Sequence, residues 1–182
     1  MTRHDDALSN LFLPGFWPHA TLYLGSVEER AELDVAVSPE KEARAASPFR
    51  FLESRKDGVR FRPAEETLAV DACVVLRPSL EKADLARAIA RAMEQEGKLD
   101  DFLFDFRSSD RLACTEVIYR EFHGIGPVAF RLKEVSGRKC LPAEDLLDQA
   151  LACGFTIRAT TGLEGDSVLF GAAAERVFRA TR

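Results

Sequence analysis

The stretch from Leu112 to Gly124 constrains this chain more than any other. Cys114, Ile118 and Phe122 recur at the spacing of one face of an α-helix, and Gly124 stands where a helix can stop in the left-handed conformation. Just upstream, Ser108, Ser109 and Asp110 are residue types whose side chains accept hydrogen bonds from the orphan N–H groups of a first turn. A helix with such a face needs a bed, so the rest of the chain is expected to pack against it, with Cys114 pointing inward. Near a helix start the macrodipole and unpaired N–H groups favour an anion, which draws a thiol of ordinary pKa about 8.5 toward thiolate. The alternative is an inert buried cysteine, the commoner fate of this residue type.

A chain of 182 residues is expected to form a single domain over 1–182, large enough to bury a core without disulfides or metal. Its net charge of -5 argues against a partner that is nucleic acid or anionic lipid. Arg50, Arg55, Lys56, Arg60 and Arg62 form a local basic cluster that reads as a solvated face. The cysteines Cys73, Cys114, Cys140 and Cys153 make no Cys-x-x-Cys pair and no zinc-like spacing, so they are expected to be reduced, with no metal and no cofactor. No run is long enough for a transmembrane helix. The opening Met1 to Asp6 lacks the basic-then-apolar layout of a signal peptide, which makes a cytoplasmic location the default expectation.

From His19 to Gly25 the residues alternate, Ala20, Leu22 and Leu24 on one face and His19, Thr21 and Tyr23 on the other, which predicts a half-buried strand. Phe16 and Trp17 precede it, either lining a groove or filling a core. Ser26 to Ser47 is charge-dense and reads as a solvent-facing excursion, with Ser38-Pro39-Glu40 starting a short helix. Phe49 to Ser54 alternates again, with Glu53 on the face of Phe49 and Phe51. A buried carboxylate needs a partner, so Glu53 either meets an imidazole N–H or reaches water at the strand end. Asp57-Gly58 marks a hairpin turn, Val70 to Arg77 a strand holding Cys73, and Leu85, Ile89 and Met93 a helix closed by Gly97. Phe102 to Phe106 reads as an extended approach to the cysteine helix. Beyond Gly124 the pattern predicts helices over 142–152 and 172–180 flanking strands over 155–160 and 167–170, an α+β arrangement.

Three blocks carry a resemblance to a known family. Pro14 to Gly25, then Phe51-Leu-Glu53 with Asp57-Gly-Val59, then Phe102 to Phe106 followed by Cys114-Thr-Glu-Val-Ile-Tyr119, resemble in order the histidine, acid and nucleophile segments of circularly permuted papain-like enzymes of the YiiX/YebB type, relatives of NlpC-type cell-wall peptidases. The resemblance implies an antiparallel sheet packed against the nucleophile-bearing helix, and a catalytic triad of Cys114, His19 and Glu53. Trp17, Tyr23 and Tyr119 are the aromatic candidates for binding substrate. In such a triad the imidazole takes the thiol proton, the acid fixes its tautomer, and helix-start N–H groups hold the oxyanion. The expected function is therefore a peptidase- or amidase-like thiol hydrolase that opens an amide or ester bond through an acyl-thioester. Its partner would be a small peptide, amide or lipid-like substrate. A lipid acyl hydrolase or acyltransferase on the same fold, a non-catalytic binding module, and a redox protein using Cys114 are the alternatives. Members of the resembled family open with a Gly-Asp strand that has no room ahead of Thr2, which implies either a truncated start or a domain cut from something longer.

Overall fold

The structure, a computed structural model, describes residues 1–5, 15–101, 111–135 and 137–182. In chain order the elements are β1 (Thr2–Arg3), β2 (Leu22–Tyr23), α1 (Val27–Glu32), α2 (Pro39–Arg44), β3 (Phe49–Arg55), β4 (Gly58–Pro63), α3 (Ala64–Thr67), β5 (Ala72–Arg77) and α4 (Lys82–Met93). They continue with β6 (Leu99–Asp100), β7 (Arg111–Leu112), α5 (Cys114–Phe122), β8 (Lys133–Val135), β9 (Arg138–Cys140), α6 (Ala143–Ala152), β10 (Thr156–Thr161), β11 (Leu169–Phe170) and α7 (Gly171–Arg179). With 34% helix, 27% strand and antiparallel sheets, the class is α+β as expected. The residues pack as two compact units, one of Met1–Ala20, Leu68–Ser79 and Pro142–Arg182, the other of Thr21–Thr67 and Leu80–Leu141. Among the described residues no helix is long and apolar enough to cross a membrane.

The first unit is built on the sheet β1-β5-β10-β11, all antiparallel. Its core joins Ala72 and Val74 of β5 to Leu147 of α6, Phe178 of α7 and Trp17. Trp17 is fully buried, stacked on Phe178 at 6.1 Å and edge-on to Phe16 at 5.0 Å. Its indole N–H donates to Thr181 Oγ1 at 2.9 Å, which satisfies the one polar atom of the ring. Of the two readings open to this aromatic, the core has it, and a ring with no exposed surface offers nothing to a substrate.

The second unit is organised around the antiparallel sheet β2-β3-β4. Arg55 pairs with Gly58, so the hairpin loop is Lys56-Asp57 and Gly58 opens β4. Gly58 sits at φ +94, and a Cβ there would lie 2.4 Å from Lys98 O, so only glycine fits. Leu52, Val59 and Phe61 of the sheet meet Ile89, Ala92 and Met93 of α4 and Val117 of α5 in one core. The nucleophile-candidate helix therefore does pack beside an antiparallel sheet, against β3 and α4.

The stretch after β2 is less of an excursion than its charge suggests. Ser26 and Glu29 form a capping box that starts α1, and Ser38 caps α2 with Pro39 at its first position. Arg30, only 1% exposed, binds Glu42 through Nε and Nη2, and also Gly25 O at 2.7 Å and Ala45 O at 3.0 Å. One guanidinium thus ties α2 to α1 and the turn before it, while Leu33, Val35 and Val37 pack against the core of the unit.

Candidate functional site

Cys114 is the first residue of α5, and its side of the helix faces inward, leaving the residue 8% exposed. The N-cap is Ala113, whose carbonyl accepts from Glu116 N at 3.0 Å and Val117 N at 3.1 Å. The expected caps Ser108, Ser109 and Asp110, like Phe102 to Phe106, lie outside the described residues. At the other end His123 is the C-cap and Gly124, at φ +76, takes the left-handed position its residue type promised.

The entry to this helix is fixed by β3. Ser54 Oγ lies 2.6 Å from Leu112 O and 2.9 Å from Asp100 Oδ1, and its single hydrogen goes to one or the other. Side chains alternate along a strand, so Leu52 and Ser54 serve the α5 side while Glu53 projects from the opposite face. There Glu53, 1% exposed, has its Oε2 at 2.9 Å from Arg55 Nε and 3.4 Å from Arg62 Nε, with Thr67 Oγ1 at 3.4 Å. The buried carboxylate has the partner its burial demands. The partner shown is a pair of guanidiniums.

His19 belongs to the first unit, where it forms an isolated bridge with Thr2 and its carbonyl accepts Thr2 N–H at 2.9 Å. The alternation after it holds: Ala20 and Leu24 are buried and Tyr23 is 46% exposed. Tyr23 lies against Phe51 and donates its hydroxyl to Glu29 Oε2 at 2.9 Å. Burial first, and Glu29 second, push that hydroxyl pKa up. Tyr119 is stacked on His123 at 4.5 Å, at the C-terminal end of α5.

Reasoning from the sequence did not foresee how polar the buried side of α5 is. Thr115, Glu116 and Glu121 are each at most 2% exposed. Thr115 Oγ1, Glu116 Oε2 and both Glu121 oxygens have no hydrogen-bond partner among the described residues. Glu116 Oε1 accepts from Arg120 Nη2 at 2.6 Å, and burial pushes its pKa up against that pairing. On sequence, Glu116 and Arg120 are an i,i+4 pair that reads as surface, which hides the burial.

Burial alone holds the Glu121 carboxyl well above the usual range. The folded chain therefore keeps a proton that the unfolded chain releases above about pH 4.3, and stability falls as pH rises from there toward the raised folded value. Glu121→Gln is expected to raise the melting temperature at neutral pH and flatten this dependence. Melts taken from about pH 4 to about pH 8 check it, and an unchanged slope in the variant would assign the effect elsewhere.

Among the described residues no group of three His, Cys, Asp or Glu side chains could hold a metal ion. No protein-family model, curated protein or solved structure matches the chain.

Proposed function

We propose that this chain is a thiol hydrolase of the circularly permuted papain-like, NlpC-type fold, opening an amide or ester bond through an acyl-thioester on Cys114. The observation that supports this most directly is the seat of Cys114 at the start of α5, a nine-residue helix held on an antiparallel sheet, with the unpartnered Thr115 Oγ1 and Glu116 Oε2 buried in the same turn. Helix-start N–H groups are suited to a thiolate and to the oxyanion that follows it. In the proposed step the thiol proton passes to the base and sulfur adds to the carbonyl carbon. The tetrahedral adduct expels the amine or alcohol, which takes the proton, and water then cleaves the thioester. The resemblance alone supplies His19 as base and Glu53 as orienting acid, and it suggests peptide or amide substrates.

Alkylation by iodoacetamide at neutral pH, mapped by peptide mass spectrometry, tests the nucleophile. Cys140 and Cys153 are the more exposed, while Cys73 and Cys114 are each 8% exposed. Burial pushes the Cys73 thiol up, so Cys73 serves as an internal control for burial without activation. Exposure alone would put Cys140 and Cys153 first. The proposal expects Cys114 to react ahead of all three, and His19→Ala to slow Cys114 only. A Cys114 that reacts as slowly as Cys73 would sink it.

A further inference from the structure

The first unit leaves apolar side chains exposed on one face of its sheet. Val74, Thr160 and Leu169 stand in one cross-strand row, and Val75, Ala159 and Phe170 in the next. Val74 belongs to the core with α6 and α7, so the second row points the other way, because successive side chains of a strand alternate between faces. Val168, two residues before Phe170, shares its face. These are the two most exposed large hydrophobic side chains among the described residues, Val168 at 55% and Phe170 at 69%, and Val75 in the same row is exposed as well. Apolar groups gathered in this way mark a contact surface, whereas single scattered ones do not.

They also lie at the edge of the sheet. β11 pairs with β10 on one side, and among the described residues no strand pairs with its other side. Folded proteins protect such edges with charged residues or proline. In a chain that is 30% charged, the run from Ser167 to Ala174 carries neither. The helix that follows lacks a cap too. α7 has Phe170 at its N-cap with no side-chain hydrogen bond, and no acid stands in its first turn. Its first N–H groups therefore lack both the side-chain acceptor and the negative charge that a helix start favours.

We propose that a second copy of this chain docks on this edge, its β11 laid antiparallel to the first about a two-fold axis, with Leu169 opposite Leu169. Residues directly opposite share a face, so the apolar row continues across the junction only in a register that keeps Val168 and Phe170 on one face. With Leu169 on the axis, Val168 of each copy meets Phe170 of the other, and the contact is made twice. The same register carries Ser167 and Asp166 of each copy past the other's Phe170, toward the start of α7. Both are capping residue types, and Asp166 brings the negative charge that the first turn lacks. This complementarity is what selects a second copy as the occupant, because one segment of the chain supplies the apolar row, the strand edge and the acid. The surface belongs to the first unit, and the proposal stands apart from the chemistry assigned to Cys114.

Sedimentation velocity of the full chain, run from about 1 to about 200 μM, covers the affinities expected of a short edge pairing. The mass is expected to rise from 20.2 kDa toward twice that value. Val168→Lys and Phe170→Glu each put an unmatched charge at the junction, and each is expected to weaken association at least about tenfold. Both side chains are exposed in the single chain, so the circular dichroism spectra are expected to stay as they are. An equal mixture of the two variants sets the new lysine opposite the new glutamate and is expected to associate at least about tenfold more tightly than either variant alone. A native chain that remains at 20.2 kDa throughout overturns the proposal. A dimer indifferent to both substitutions overturns it equally, and so does a mixture that associates no better than its components.

Discussion

Cys114→Ala is expected to abolish acylation of the folded chain by activated acyl esters or peptide amides, a loss of about a thousandfold or more, because no second group replaces a catalytic nucleophile. With the native chain, intact-mass measurement should show one added acyl group, peptide mapping should place it on Cys114, and hydroxylamine should remove it. The lifetime of the adduct then separates the reaction classes. A hydrolase passes the group to water in plain buffer, whereas an acyltransferase holds it until an amine or alcohol arrives. Hydrolysis is the expected result. An adduct that forms equally well on the Cys114→Ala chain would remove Cys114 from the chemistry. A reactive Cys114 that accepts no acyl donor would favour the non-catalytic binding module. The same assay separates the other two residues of the proposed triad. Loss of an orienting acid should slow acylation without loosening the fold, whereas Glu53 buried beside Arg55 and Arg62 predicts that Glu53→Gln also loosens the β3–β4 hairpin.

What the sequence made legible is what local periodicity encodes. Helix α5 ends at His123 with Gly124 beyond it, α2 starts at Ser38, and the face alternation of Ala20, Leu24 and Tyr23 stands as read. Where expectation and structure part, a long-range partner decides. The i,i+4 stripe of Cys114, Ile118 and Phe122 predicts an apolar face, but Val117 enters the core and Ile118 is only half-buried, because the bed formed by β3 and α4 meets the helix slightly to one side. Glu121 turns into that side as well, and no spacing rule announces a carboxyl in a core. Alternation correctly assigned Glu53 a face of its strand. It could not say that the opposite face, with Leu52 and Ser54, is the one that meets the segment entering α5. Arg30 was hidden inside a charge-dense run, since nothing local distinguishes an arginine that satisfies two carbonyls and a carboxylate from one that reaches water.

Trp17→Ala is expected to destabilise the first unit by about 3–5 kcal/mol, the range for deleting a large aromatic from a core. For a chain of this size that lowers the melting temperature by roughly 10 °C. The indole is fully buried, so its whole area returns to water on unfolding, and its removal leaves a void between Phe178, Phe16, Ala72 and Val74. Trp17→Phe separates the contributions: it keeps most of the packing and loses the N–H bond to Thr181, so it is expected to cost about 1 kcal/mol. Melting followed by circular dichroism gives both numbers, and hydrogen exchange should show the loss in β5 and β10, the strands on which this core rests. A substrate-lining tryptophan would behave in the opposite way, leaving the melt unchanged and raising KM for an acyl substrate. A difference of several degrees between the two variants is therefore the signature of the core role that the burial of Trp17 assigns.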